Sequence, residues 1–444
     1  MKTRITLALL ALFLYQGSFA QLPKPGLVGY FHNWENVDAP YIDLNQIDDR
    51  YNIIEVSFAE PKVGSKSDMK FIPDQQTQVE FISQIQELQN KGKKVLISIG
   101  GANAHVELTN ETEKNEFINS MNSIINTYGF DGMDIDLEGS SIRVSGGTTI
   151  SNPTDAIIIN LIDAIKQIMA DYQSAHGKKL LLTMAPETAY VQGGISAFGL
   201  TWGAYLPIID ALRDSIDMLQ VQLYNTGGQI GIDGGAYDAA TGDFIVAMTE
   251  ALVEGFDTAG GRFMGLPANK LAVGLPSCPS AAPAGGYIAP SEVKKAMDYL
   301  MGKGSKSGSY TLRNSSGYPD LGGMMTWSIN WDAAGGCASV YEYAQNFENI
   351  FGGSLGVTDN YSERSSMVYP NPAQNTITID LENHKQYSSI EIVNISGQMV
   401  QKIEFENTNT INLDISFLKT GVYFVNVTPH NGNGTGNFTR LMKL

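Results

Sequence analysis

Basic residues are in short supply in this chain. Over 444 residues, 29 Lys and Arg stand against 46 Asp and Glu, a net charge of −17 and a pI near 4.7. That balance argues against nucleic acid and anionic membrane surfaces as partners, while a neutral polymer meets no electrostatic objection. Cysteine is scarcer still. Only Cys278 and Cys337 occur, too few for a disulfide-scaffold protein. Both follow late strand candidates, where two separate buried thiols and a single bridge are equally compatible with their positions. No apolar run after the opening segment approaches the ~20 residues that span a bilayer, so no membrane span is expected.

The opening segment is a different case. Lys2 and Arg4 precede a mostly apolar stretch from Ile5 to Tyr15, and Ser18-Phe19-Ala20 forms a small-residue cleavage site. Residues 1–20 therefore read as a secretory signal, with a soluble, exported mature chain beginning near Gln21.

From Gly26 onward, strand-like apolar runs alternate with amphipathic stretches. The strand candidates are 26–31, 52–58, 95–99, 132–137, 180–184, 218–223, 271–273 and 323–328. Helical patterns cover 75–90, 113–128, 156–176, 205–213, 243–254, 291–301 and 341–351, with a weak first helix at 44–49. Eight such units predict an α/β fold, a (β/α)8 TIM barrel over residues 21–355, whose active site sits at the carboxyl ends of the strands. After Gly352-Gly353-Ser354 the pattern changes to short strands and turns, at 376–381, 390–393, 411–413, 421–427 and 438–444. That predicts a small all-β sandwich over residues 361–444.

The most informative stretch is Phe130-Asp131-Gly132-Met133-Asp134-Ile135-Asp136-Leu137-Glu138-Gly139. On a strand, Asp134, Asp136 and Glu138 share one face while Met133, Ile135 and Leu137 share the other. Positions two apart lie roughly 6.6 Å from each other along the backbone, so neighbouring carboxyls can meet. Like charges that close keep at least one proton near neutral pH, which is what a general acid needs. A solvated surface strand would gain nothing from three aligned acids. An EF-hand calcium loop would need a glycine at its sixth position and a distant glutamate, and neither fits.

The spacing of Asp131, Asp134, Asp136 and Glu138 resembles the Asp-x-x-Asp-x-Asp-x-Glu signature of glycoside hydrolase family 18, the chitinases and their relatives. Further matches are Ser98-Ile99-Gly100-Gly101, Met184-Ala185-Pro186-Glu187, Gln222-Leu223-Tyr224-Asn225 and Trp327. With Tyr205-Leu206-Pro207-Ile208-Ile209-Asp210, they look most like the small bacterial chitinase D type. The resemblance implies hydrolysis of chitin or N-acetylglucosamine oligosaccharides with no metal or cofactor. Under it, Glu138 protonates the leaving oxygen, and Asp136 holds the substrate N-acetyl group while sharing a proton with Asp134. Tyr224 hydrogen-bonds the attacking N-acetyl oxygen, and Trp327 floors the cleavage subsite. Tyr30, Phe58, Met184, Glu187, Gln222 and Asn225 would wall the same site. For Trp34, Trp202 and Trp331, packing and sugar stacking remain equal alternatives. Between Pro276 and Leu321 there is no room for the extra α+β domain of processive members, which implies an open cleft and attack within chains. An endo-β-N-acetylglucosaminidase cutting N-glycan cores shares this signature. A non-catalytic, lectin-like chitin binder is a further alternative, although such relatives usually lack the terminal glutamate, and Glu138 is present.

The tail carries Tyr369-Pro370-Asn371-Pro372, Ile395-Ser396-Gly397-Gln398 and Leu418-Lys419-Thr420-Gly421-Val422-Tyr423-Phe424. These resemble the sorting domain of the type IX secretion system, whose substrates cross the outer membrane and usually lose that domain. Export through the periplasm to the cell surface or medium, as a monomer, is the corresponding expectation. A carbohydrate-binding module is the alternative, but the tail has no Trp for a stacking platform.

Overall fold

A strand buried on both faces must be apolar at nearly every position, and Gly26–His32 (β1) is buried throughout. It opens a parallel sheet with Ile53–Pro61 (β2), Lys94–Gly100 (β3), Gly132–Asp136 (β4), Leu181–Met184 (β5), Met218–Leu219 (β6), Ala272–Pro276 (β7) and Gly323–Trp327 (β8). The pairing runs β7-β8-β1-β2-β3-β4-β5-β6. Single parallel bridges, Leu219 to Leu271 and Gln222 to Gly274, join the two ends. This is the expected (β/α)8 barrel.

The computed structural model describes residues 21–335, 339–352, 367–380, 387–394, 399–405, 410–429 and 437–443. The signal-like segment, Cys337 and Ile395-Ser396-Gly397-Gln398 lie outside the described residues. Two compact units divide the chain, residues 1–355 and 356–444.

The barrel helices start and stop on local chemistry. Gln78–Asn90 (α1) opens with a capping box in which the Thr77 hydroxyl accepts from the Glu80 N–H and the Glu80 carboxylate accepts in return. Glu111–Tyr128 (α2) is capped by Asn110 and ends on Gly129 at φ 72°, a left-handed turn that favours glycine. Ala156–His176 (α3), Leu206–Leu212 (α4), Gly242–Glu254 (α5) and Pro290–Leu300 (α6) follow their strands. Two helices, Ile329–Ala333 (α7) and Glu342–Phe351 (α8), follow β8.

Strand alternation separates two cores. Met133, Ile135, Leu182 and Met184 face the helices, whereas Val28, Tyr30, Ile53, Leu96, Leu181 and Met325 fill the barrel interior. The weak first helix is only a 3-10 turn, Leu44–Gln46. The sixth strand pairs regularly over two residues and then continues as isolated contacts, because Gln222 bridges both Glu187 and Gly274. Between β7 and β8 there is one 3-10 turn, Pro279–Ala281, besides α6, so no inserted domain walls the barrel mouth there.

The second unit holds two antiparallel sheets. One comprises Met367–Tyr369 (β9), Thr376–Asp380 (β10) and Thr410–Asp414 (β13). The other comprises Tyr387–Asn394 (β11), Met399–Glu404 (β12), Gly421–Pro429 (β14) and Asn437–Lys443 (β15). Ile377, Ile379 and Leu413 of the first sheet share one core with Ile390, Ile392, Val425 and Leu441 of the second, which makes a sandwich. Strands β9 and β12 escape the sequence reading. The first has only three residues, and β12 is largely exposed along its length. Among the described residues no helix is long and apolar enough to cross a membrane.

Candidate active site

The register of β3, β4 and β5 sets Ser98, Asp134 and Thr183 side by side. Asp134 is fully buried and surrounded by donors. Tyr30 and Ser98 each donate a hydroxyl to Oδ2 at 2.7 Å, and Thr183 donates to Oδ1 at 2.8 Å. The Gln220 amide approaches the same Oδ1 at 3.4 Å. Burial raises the Asp134 carboxyl above its ordinary pKa, and these hydrogen bonds oppose the rise.

One step toward the mouth, Asp136 and Glu138 are joined through Gln222. Its side-chain nitrogen lies 2.9 Å from Asp136 Oδ1, 3.0 Å from Glu138 Oε1 and 2.9 Å from the Ala185 carbonyl oxygen, three acceptors around its two N–H protons. The two carboxyls also hydrogen-bond each other. Burial, then the neighbouring charges of Glu138 and Asp134, push Asp136 well above the usual carboxylate range. Burial also raises Glu138. Asp136 is therefore turned toward Glu138, while the partners of Asp134 are the hydroxyls and amide behind it.

Glu138 lies just past the last paired residue of β4. The Tyr205 hydroxyl accepts from the Leu137 N–H at 2.8 Å and lies 3.0 Å from the Leu137 carbonyl, to which it donates. This clamps the strand end from which Glu138 projects. Gly100, at φ 110°, makes the close approach possible. A Cβ there would stand 2.4 Å from the Asp136 carbonyl oxygen, where no side chain fits.

These groups open on a cleft of about 590 Å³ lined by Trp34, Phe58, Glu60, Asn103, Asp136, Glu138, Glu187, Gln222, Tyr224, Asn225 and Trp327, among others. Phe58 and Trp327 stack with ring centres 5.9 Å apart, and Trp34 stacks on Phe58 at 6.2 Å. Phe58 faces the cleft because the β2–β3 register shifts between Val56 and Ala59, a bulge that re-aims the side chain. Behind this wall, His32 stacks on Trp34, and burial lowers its pKa to about 3, so it is neutral. Tyr224 is held from below by Gly286, at φ 113°, where a Cβ would meet the Tyr224 backbone at 2.4 Å. Asn225 accepts from the Ala284 N–H at 3.1 Å. Burial, then the Glu138 charge, raises the Glu187 carboxyl, whose oxygen accepts from the Gly139 N–H at 3.5 Å.

Two residues expected to wall the cleft are not among those that line it. Met184 does not line the cleft. It is fully buried on the helix side, because alternation on β5 turns Thr183 inward instead. Tyr30 sits under the aromatic wall at 1 % exposure, and its hydroxyl is committed to Asp134. Asp131 lies at the far end of β4, where its carboxylate accepts from the Val95 N–H at 3.1 Å and the Gln89 amide at 3.0 Å. Trp34 joins the cleft, whereas Trp202 and Trp331 are not among its lining residues.

Glu55, Thr183 and Gln220 were not anticipated. A lone Glu in the apolar run Ile53-Ile54-Glu55-Val56 was the available signal for the first. Cys278 is disulfide-bonded. No group of three or more His, Cys, Asp or Glu side chains among the described residues could hold a metal ion.

The sequence pattern described as "Glycosyl hydrolases family 18" matches residues 26–420. The chain belongs to glycosyl hydrolase family 18. Chitinase D of Niallia circulans is 48 % identical over 312 residues, which are 69 % of this chain and 58 % of that protein. Chitinase ChiA of Flavobacterium johnsoniae is 36 % identical over 439 residues, 94 % of this chain and 27 % of its own length. Thus the chain spans a little over half of one relative and about a quarter of the other. A family GH18 chitinase from Chromobacterium violaceum, 35 % identical, superposes with a TM-score of 0.65 over 74 % of this chain and 84 % of that one.

Proposed function

We propose that the protein is an endo-acting chitinase that hydrolyses β-1,4 bonds between N-acetylglucosamine units with retention at the anomeric carbon. The observation that carries this reading is the joined Asp136–Gln222–Glu138 group in one cleft with the Trp34, Phe58 and Trp327 rings. Aromatic faces suit the C–H faces of pyranose rings. A buried carboxyl with a raised pKa suits proton donation near neutral pH. The absence of an inserted domain between β7 and β8 favours an open cleft and internal attack.

Most retaining glycosidases use a second carboxylate as nucleophile, but this family is an exception in which the substrate assists. Here the N-acetyl oxygen attacks the anomeric carbon while Glu138 protonates the leaving oxygen. Asp136 receives the amide N–H, and Tyr224 steadies the carbonyl oxygen. Glu138 then takes a proton from the water that opens the intermediate. Turnover of chitin oligomers, compared with a glycoprotein carrying N-glycans, tests the substrate. Replacing the acetamido group at the cleaved sugar with a free amine should stop turnover while binding persists. Normal cleavage of that analogue would overturn the substrate-assisted mechanism, and cleavage of the glycoprotein alone would overturn the substrate.

We also propose that residues 1–20 direct export and that residues 361–444 are a type IX sorting domain on a monomeric enzyme. Support comes from Tyr369-Pro370-Asn371-Pro372 and the Leu418–Phe424 motif, and from the small antiparallel sandwich that carries them. Deleting the tail in the native host should leave active enzyme trapped in the periplasm. Normal release of the truncated protein, with loss of insoluble-chitin binding, would instead identify a binding module.

A further inference from the structure

Glu55 is fully buried in the barrel interior and does not reach the cleft. Its surroundings pose a counting problem. The Thr183 hydroxyl lies 2.7 Å from Glu55 Oε1 and 2.8 Å from Asp134 Oδ1. A hydroxyl has one proton, so it cannot donate to two carboxylates at once. The Tyr30 hydroxyl is committed to Asp134 Oδ2 at 2.7 Å. One single-proton hydroxyl thus stands between two carboxyl oxygens, and both contacts are hydrogen bonds only if one of the carboxyls is itself the donor.

The distribution of donors decides which. Asp134 receives Tyr30 and Ser98 on one oxygen and Thr183, with the more distant Gln220, on the other. Of the donors that serve one carboxyl alone, Asp134 has Tyr30 and Ser98. Glu55 has as its short contact the Gln220 amide at 2.5 Å, which Asp134 also approaches. The charged or titratable groups facing Glu55 are Tyr30 of β1 and Asp134 of β4, with Asp136 beyond, and they include no cation among the described residues. Two anions here would be buried like charges without a counter-charge, so one of the pair keeps its proton.

We propose that Glu55 is a carboxylic acid whose proton is donated to the Thr183 hydroxyl, which donates in turn to Asp134, making Glu55 a positioning residue for the reaction. The chain of donors holds Asp134 as an anion facing away from the cleft. That anion then keeps a proton on the Asp136–Glu138 pair, where the chemistry needs it. Burial, followed by the charge of Asp134, pushes the Glu55 carboxyl well above the usual range in the same sense. This inference rests on the catalytic reading of Asp136 and Glu138 given above.

The test uses the full chain and two variants. Glu55→Leu removes the donor and should lower kcat by about tenfold or more, the scale of one lost buried hydrogen bond. KM for chitin oligomers should hold, and the alkaline limb of the kcat/KM profile should move to lower pH. Glu55→Gln keeps a neutral side chain with a donor and should restore most of kcat and the original limb. A Glu55→Gln enzyme as impaired as Glu55→Leu would overturn the proposal, because a carboxylate would then be the required species. A fully active Glu55→Leu enzyme would overturn it equally. An infrared difference spectrum at pH 7 supplies an arm independent of turnover and of the Leu variant's folding. Glu55→Gln should remove a protonated-carboxyl C=O band that Glu138→Gln retains. If wild-type enzyme fails on chitin but this band is lost, the functional reading fails and the proton on Glu55 stands. If wild-type enzyme cleaves chitin and no band is lost, the Glu55 proposal alone fails.

Discussion

Glu55 in the barrel interior and Glu107 at its rim are both buried glutamates, and the fold treats them in opposite ways. Glu107 is paired with cations: Lys66 at 2.6 Å and Arg143, with His105 nearby at 3.4 Å. Those partners, led by Lys66, lower its pKa to about 2. Glu55, Asp134 and Asp136 have hydroxyls, amides and each other, and burial raises all three. Charge pairing makes a permanent anion that ties loops together. Its absence makes a group of acids that retains protons and can lend them. Under the proposed function, the rim carboxylate belongs to stability and the interior acids belong to chemistry.

The sharpest way to break this contrast is at the mouth. Glu138→Gln should lower kcat by roughly 10²–10⁴ or more, with KM for chitin oligomers little changed. An unchanged kcat in steady-state assays would remove the acid role. Next in size, the raised carboxyls make activity depend on a retained proton. The acid form is present below the raised pKa and lost above it, so kcat/KM should persist above the ordinary carboxylate range and decline as pH rises further. A profile that instead climbs through neutral pH would contradict a protonated mouth pair.

Tyr224→Phe should cost less, because one hydrogen bond to developing charge is worth a few kcal/mol at most. Thermal unfolding of that variant should match wild type. Ser98→Ala removes one of the donors to Asp134 and should cost about 1–2 kcal/mol in urea unfolding, with a loss of kcat well below that of Glu138→Gln. A Ser98→Ala enzyme as dead as Glu138→Gln would mean that the barrel floor does more than support the mouth.

The smallest effect on turnover is expected at the rim. Glu107→Gln should leave kcat within about twofold and cost about 1 kcal/mol of stability at pH 7, after allowing for solvent screening. The sign follows from a lowered folded pKa. The contribution is present above the ordinary value of 4.5 and is lost as pH falls toward about 2. Wild type and variant should therefore converge in acid. A Glu107→Gln variant that instead becomes more stable than wild type as pH rises would place Glu107 with the interior acids.

Much of this arrangement was legible in the chain itself. Alternation on β4 placed Asp134 and Asp136 on one face and Met133 and Ile135 on the other, because period-two side-chain direction is a local property of any strand. The position of Glu138 at a strand end, and so at the mouth, followed from the barrel pattern. Alternation says less where both faces are apolar. Leu181-Leu182-Thr183-Met184 offers no local reason to turn Thr183 rather than Met184 inward, and only the barrel register decides it. Phe58 reaches the cleft through a bulge that no run of residue types announced. Glu55 was hidden most completely. It meets Thr183 and Gln220 across 128 and 165 residues of chain, so the proton arrangement depends on barrel closure. Local sequence determined which residues could be acids and where the strand carrying them ends. Only the tertiary structure decided which acids lack a counter-charge, because that depends on what distant strands bring beside them.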